Sequence, residues 1–304
     1  MQIPDFQTIM LPLLKLSASK EWRISDAVEQ LANDFHLSQE NRALLIPSGR
    51  QTTFSNRVAW AKSYLSKAGL VTPTKRAHFC ISEQGKKVLE NPPERITIKY
   101  LGQFPEFQEF RKDGGADKHS NGAETTEQEL SLTPDEAIRK AHTQLEQELA
   151  DELLIKIRSG SPAFFENLVV RLLVAMGYGG SVEDINKALV GGTGDGGIDG
   201  VIDQDILGLD RIYVQAKRYA EGNTVGASAI RDFFGSLDRF KATKGLFVTA
   251  STYTASARET AGMLSKRIVL IDGSQLTRLM IRHNVGCRID QTIDIKEIDE
   301  EFFE

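Results

Sequence analysis

Hydrophobic positions in the first ~90 residues come in short blocks at helical spacing, followed by the pattern of a hairpin. Val28, Leu31, Ala32 and Phe35 share one helical face, with Ser25 placed to cap it. Val58, Ala61, Leu65 and Ala68 mark a second helix over 56–68, with Ser55 at its cap, and Gly69 followed by Leu70 is a glycine-plus-hydrophobe ending. An apolar run at 69–71, a polar tip at Pro73, Thr74, Lys75 and Arg76, and a return run at 78–81 read as a β-hairpin. Between Pro92 and Pro134 the pattern dissolves. The stretch RKDGGADKHSNGAETTEQE is polar, glycine-containing and nearly without aliphatics, the composition of a flexible tether. Thr133 then caps a helix that opens with Pro134, Asp135 and Glu136, acids suited to the helix dipole, and runs to about Arg158.

From Ser161 onward helix and strand alternate. Ser161 caps, Pro162 takes the first turn, and Phe165, Leu168, Val169, Leu172, Leu173 and Met176 form one apolar face that Gly177 ends. After a glycine-rich segment, strands are expected over 198–202, 211–217, 244–249 and 267–271, and helices over 229–240, 255–264 and 275–282. This is a mixed α/β (α+β) sheet covered by helices. The expected organisation is one domain over 1–95, a flexible acidic linker over 96–133 and a second domain over 134–304.

Charge sharpens the first of these. The 304 residues carry 37 Lys+Arg against 42 Asp+Glu, a net of −5, but residues 1–100 are net +5, 101–155 net −8 and 156–304 net −2. From 41 to 82 there is no acid at all, while Arg42, Arg50, Arg57, Lys62, Lys67, Lys75 and Arg76 are present with His78 beside them. A field of one sign over such a length attracts polyanions. Helices followed by a basic-tipped hairpin make a winged helix-turn-helix, whose second helix enters the major groove while the wing reaches phosphate or minor groove. Arg57, Lys62 and Lys67 on that helix, Lys75 and Arg76 on the wing, and Arg50 are the residues expected to touch double-stranded DNA. A solvated basic surface or a protein-interaction module is the alternative. Cys80 and Cys287 are too few for a disulfide framework or a Cys-rich zinc site. No apolar run approaches the ~18 residues of a membrane span. The first 16 residues, interrupted by Asp5, Pro12 and Lys15 and without a basic lead, do not read as a secretory signal. The expectation is a soluble, cytoplasmic chain with no membrane partner.

The chemistry concentrates in three pieces. A glycine loop, GGTGDGGIDG at 191–200, leads into a strand, and YVQAKR at 213–218 ends the next one, with Gln215 and Lys217 on one face and Val214 and Ala216 on the other. Glu166 lies beside Val169 and Leu173, on the margin of its helix's apolar face. Gly192, Gly194 and Gly197 match a dinucleotide fingerprint letter for letter. That fingerprint needs a strand before and a helix after, which the loop lacks, and no Gly-Lys-Ser/Thr follows to make a P-loop. Phosphodiester hydrolysis calls for these residue types, because oxygen ligands on adjacent strands hold a hard cation and a nearby lysine offsets transition-state charge. Asp199 is the expected central metal ligand. Gln215 ligates through its amide carbonyl or through a water, Glu166 holds a water of the metal or a second cation, and Lys217 positions the attacking water. Asp195 supports the loop or the metal rather than binding directly.

These motifs, GGTGDGGIDGVI followed by YVQAKR, with SPAFFENLVVRLL upstream and KGLFVTASTYTASA downstream, resemble the Mrr-type restriction endonuclease family. The basic module containing NRVAWAKSYLSKAGLV resembles that family's N-terminal winged-helix domain, so only the tether is left without a counterpart. The resemblance implies a PD-(D/E)xK nuclease fold, dependence on Mg2+ or another divalent cation, and cleavage of modified, typically methylated, DNA in type IV restriction. By the family's pattern the catalytic acid falls on Asp199, the Gln-x-Lys on Gln215 and Lys217, and the helix carboxylate on Glu166; Asp199, Gln215 and Glu166 form the metal set. Gln215 stands where the wider superfamily has Asp or Glu and brings no negative charge, a habit of the Mrr subgroup. Thr249, Ser251, Thr252 and Thr254 either donate hydroxyls to phosphate or serve as core and cap residues, and Arg218 either contacts DNA or is simply exposed. The reading is a two-domain endonuclease; the resemblance implies 5′-phosphate and 3′-hydroxyl ends, and since one site cuts one strand a homodimer or larger assembly is expected. The alternatives are a DNA-binding regulator with a silent nuclease fold and a nuclease for branched or damaged DNA.

Overall fold

The structure, a computed structural model, describes the chain except for residues 1, 48, 114–131, 180–196, 206, 208, 221, 297, 299–301 and 303–304. It divides into two compact units, Met1–Ala141 and His142–Glu304. The glycine loop at 191–196, including Asp195, and the tether from 114 to 131 lie outside the described residues. Among the described residues no helix is long and apolar enough to cross a membrane. Cys80 and Cys287 are both unpaired and half-buried.

The first unit is built on α1 (Phe6–Ser17), whose Phe6, Ile9, Met10, Leu13 and Leu14 are wholly buried. Asp5 caps it, accepting from the Gln7 and Thr8 amides at 3.0 and 3.1 Å. There follow β1 (Trp22–Arg23), α2 (Ile24–Asp34), α3 (Gln39–Ala43), α4 (Thr53–Lys67), β2 (Val71–Pro73), β3 (His78–Ile81) and α5 (Glu83–Glu90). The hairpin forms as expected, with Val71 opposite Ile81, and β1 adds a third antiparallel strand in the order β1-β3-β2. Helices followed by such a sheet have the element order of a winged helix.

Two caps differ from expectation. Helix α4 starts at Thr53, with Thr52 accepting the Ser55 amide at 3.2 Å, so Ser55 is a capped residue and not the cap. Helix α2 starts before Ser25: the Ile24 amide donates to the Ala77 carbonyl at 2.9 Å, and this bond to the wing sets the helix start without a side-chain cap. Gly69 ends α4 at φ +70°, a conformation that favours glycine. The expected linker also begins too early. Residues after 96 form α6 (Ile98–Leu101) and α7 (Pro105–Asp113), and buried Leu101 and Phe107 join the core of this unit. Helix α8 (Pro134–Ser159) opens on a reciprocal cap, Thr133 and Glu136 each accepting the other's amide (3.3 and 2.9 Å).

The second unit contains the last part of α8, then α9 (Pro162–Ala175), β4 (Gly200–Asp203), β5 (Arg211–Lys217), α10 (Ala227–Arg239), β6 (Lys244–Thr249), α11 (Ala255–Met263), β7 (Arg267–Ile271) and α12 (Gly273–Arg282). Strands β5, β6 and β7 occupy the ranges expected from the sequence. The sheet order is β4-β5-β6-β7, with β4 antiparallel to β5 and the rest parallel. Val214, Ala216, Leu246 and Val248 pack on one face with Phe165, Leu168, Leu172 and Leu276. Phe247 packs on the other with Ile230, Phe233, Leu237 and Tyr253. Helix α12 starts two residues earlier than expected because Asp272 and Gln275 form a capping box. Ser161 caps α9 as expected, accepting the Phe164 amide at 3.1 Å.

Phe165 is fully buried where α9 meets the sheet and so fixes the helix that carries Glu166. Phe165→Ala is expected to cost about 3–5 kcal/mol, read as a lower midpoint in chemical denaturation. A change within error would show that α9 is held by other contacts.

Candidate active site

Asp199 is tied to β5 twice. Its amide donates to the Val214 carbonyl at 2.9 Å, extending the β4–β5 ladder by one residue, and its Oδ2 accepts the Ala216 amide at 2.8 Å. The carboxylate is thereby fixed beside the strand that supplies Gln215 and Lys217. The end of β5 is itself pinned, because the Lys217 carbonyl accepts from the Thr249 hydroxyl at 2.8 Å and the Tyr219 amide at 2.9 Å.

Gln215 is only 7% exposed, and its Oε1 is buried with no hydrogen-bond partner among the described residues. Gly197 approaches from above at φ +82°. A Cβ there would stand 2.9 Å from Gln215 Nε2, so both backbone and space call for glycine. Glu166, half-buried on α9, completes the group electrostatically. Its carboxyl is pushed up, first by burial and then by the Asp199 charge, while Lys217 pulls it down. Burial likewise pushes the Asp199 carboxyl up, against the Ala216 amide and Lys217. The structure therefore brings Asp199, Gln215, Lys217 and Glu166 together.

The donor set suits a hard cation. Among the described residues there is no group of three or more His, Cys, Asp or Glu side chains placed for a metal. What is present is two carboxylates with raised proton affinity and an orphaned amide oxygen. Oxygen-only donors that leave coordination positions for water are the preference of Mg2+.

Several polar residues prove to be structural. Thr249 serves the Lys217 carbonyl, Ser251 donates to the Asn223 carbonyl, and Thr254 caps α11. Thr252 is exposed. Arg218 is half-buried and not simply exposed, its Nη1 donating to the Arg158 carbonyl. In the first unit Arg57 does not face solvent. Its Nε meets Glu136 at 2.8 Å and its Nη1 donates to the Ile3 and Pro4 carbonyls at 2.8 and 3.0 Å, which takes it out of the DNA-contact set. Arg50, Lys67, Lys75 and Arg76 are exposed and Lys62 is half-buried. Lys75 pairs with Glu21 at 3.0 Å, and the Lys67 ammonium lies 5.0 Å from the Phe110 ring centre. Asn56 and Trp60 of α4, which the sequence did not single out, are engaged by Asp135; their signal was a polar side chain on a helix flank with no local partner.

Comparison with known proteins gives the class first. Residues 157–280 match the family described as "Restriction endonuclease", so the second unit carries a DNA endonuclease domain. Residues 6–91 match the "Mrr N-terminal domain". Over 311 aligned positions, covering 100% of both chains, the sequence is 34% identical to the type IV methyl-directed restriction enzyme EcoKMrr of Escherichia coli K12. The chain belongs to the Mrr family of restriction endonucleases. Two solved structures are also similar: the MspJI restriction endonuclease in complex with a 27-mer oligonucleotide (21% identity, TM-score 0.36, 55% of this chain and 36% of that one) and the DNA modification-dependent restriction endonuclease AspBHI (16%, 0.37, 72% and 56%).

The raised Asp199 carboxyl sets the sign of a stability effect. Above the ordinary aspartate value of ~3.9 the unfolded chain ionises freely, while the native state resists, so the native state loses stability as pH rises through that window. In the presence of a chelator, Asp199→Asn is expected to raise the thermal midpoint at neutral pH, with the gain fading in acid where both states are protonated. An unchanged or lower midpoint at neutral pH would show that burial is not straining this carboxylate.

Proposed function

We propose that this protein is a divalent-cation-dependent type IV restriction endonuclease that hydrolyses phosphodiester bonds in methylated double-stranded DNA. The first unit, Met1–Ala141, binds the duplex and the second, His142–Glu304, cuts it. The observation that carries the chemistry is an orphaned Gln215 oxygen on the strand whose next residue, Ala216, holds the Asp199 carboxylate. The substrate class rests on the full-length relationship to a methyl-directed enzyme. Asp199, Gln215 and Glu166 are the residues that would hold Mg2+, which would supply polarisation of the phosphoryl oxygen and a lowered pKa for a water. Lys217, on the same strand face as Gln215, orients the attacking water and offsets the negative charge that builds on the phosphate. The Ala216 amide keeps Asp199 in a single orientation, so no reorganisation is needed as the phosphate arrives. Lys62, Lys67, Lys75, Arg76 and Arg50 supply the cationic surface for the DNA backbone. One such centre cuts one strand, so a double-strand break calls for a homodimer or larger assembly.

Asp199→Ala and Lys217→Ala are each expected to slow cleavage of methylated plasmid with Mg2+ by about 10²-fold or more, with DNA affinity little changed. Cleavage at the wild-type rate would overturn the site assignment, and equal cutting of methylated and unmethylated plasmid would overturn the substrate. Lys75→Glu with Arg76→Glu is expected to weaken binding and to reduce the slope of log K against log salt by roughly 0.9 per lost phosphate contact. An unchanged slope would remove the wing from the interface.

A further inference from the structure

At about 100° per residue, Phe54, Val58, Ala61 and Leu65 define the core side of α4, and Asn56, Ala59, Trp60, Ser63 and Lys67 lie on the opposite side. Ala59 and Lys67 are exposed, as an outward side should be. Asn56 is not: it is 4% exposed, and Trp60 one turn on is half-buried. The cover is the turn at residues 133–136 that opens α8. Asn56 Nδ2 and Trp60 Nε1 both donate to Asp135 Oδ2, at 3.1 and 2.8 Å, and Asn56 Oδ1 accepts from the Thr133 hydroxyl at 3.4 Å. Beside them the Arg57–Glu136 ion pair, with both side chains less than a fifth exposed, pins the turn down.

These contacts imitate nucleic acid. An asparagine that gives a donor and takes an acceptor side by side is the group that reads adenine in the major groove. The Asp135 carboxylate fills the acceptor side of that pair and also takes the Trp60 N–H, with the negative charge that nucleic acid would bring. The turn belongs to the acid-rich block at 101–155, opposite in sign to the acid-free block at 41–82 that contains α4.

We propose that the turn at 133–136 is an autoinhibitory plug, occupying Asn56 and Trp60 on the outward side of α4 so that duplex DNA must displace it to be read there. The proposal rests on the reading of the first unit as a DNA-binding module. Arg57 keeps its bonds to Ile3 and Pro4 when the turn leaves, so Glu136 is a latch and Asp135 the DNA mimic.

The test is anisotropy titration of the full-length protein with a labelled methylated duplex in Ca2+. Asp135→Asn with Glu136→Gln is expected to tighten binding by about tenfold. The pair Glu29→Gln with Glu90→Gln, an equal charge change at exposed acids of the same unit, is expected to move it far less. Adding Asn56→Ala to the plug-free variant is expected to remove most of the gain. No tightening, or the same tightening in the control pair, overturns the plug. A second readout needs no change in the plug: in a Trp22→Phe background, Trp60 emission should change on saturation with DNA, and constant emission overturns the proposal. Weakening by Lys75→Glu with Arg76→Glu reports separately on the DNA-binding reading, which survives if that pair weakens binding while the plug fails.

Discussion

The second unit depends on one short connection, the pair of bonds that bind Asp199 to β5. A residue just outside β4 would ordinarily be free to turn away from the sheet. Here its amide continues the ladder and its carboxylate takes the Ala216 amide, the backbone group between Gln215 and Lys217. Alternation then does the rest, because the two residues that flank Ala216 present their side chains on the same face of the strand. The acid, the amide and the ammonium are grouped by backbone geometry.

Grouping these charges in a half-buried position works against stability. Burial raises the proton affinity of Asp199 and Glu166, and each carboxylate is held near the other by elements whose packing is fixed by apolar side chains. Gln215 adds a buried oxygen with no partner among the described residues. An orphaned buried acceptor costs roughly 1–3 kcal/mol, and a cation bound among these groups, as proposed, would relieve all three penalties together. Packing of Phe165 and its neighbours on β5 supplies the rigidity that keeps the group assembled while it is strained.

The first unit applies the same electrostatics differently. Its basic stretch is the longest acid-free run of the chain, yet part of its principal helix is already engaged by acids from α8. A charged surface attracts the nearest opposite charge available, and the chain itself provides one. The wing is less committed, since Lys75 and Arg76 stay exposed even though Lys75 has Glu21 for company.

Strands 211–217, 244–249 and 267–271 were legible in the sequence because each is a short apolar run closed by polar or glycine residues, and α9 because its apolar spacing and Ser161–Pro162 start are local signals. The candidate site residues were singled out through a glycine loop and a Gln-x-Lys pair close together in the chain. Local patterns were misleading where the deciding partner is remote. Thr52 outcompeted Ser55 as a cap, and a wing carbonyl at Ala77 set the start of α2 in place of Ser25. Arg57 looked like a DNA contact, but its acceptors lie 53, 54 and 79 residues away. The helices at 98–113 exist because Leu101 and Phe107 find a core made by α1 and α4, which no local window contains. The sequence alone determined the hairpin, α9 and strands β5, β6 and β7, since periodicity and capping act over a few residues. Only the tertiary structure decided which of the charged groups remain available to a ligand, because an ion pair is a contest among all the charges that folding brings within reach.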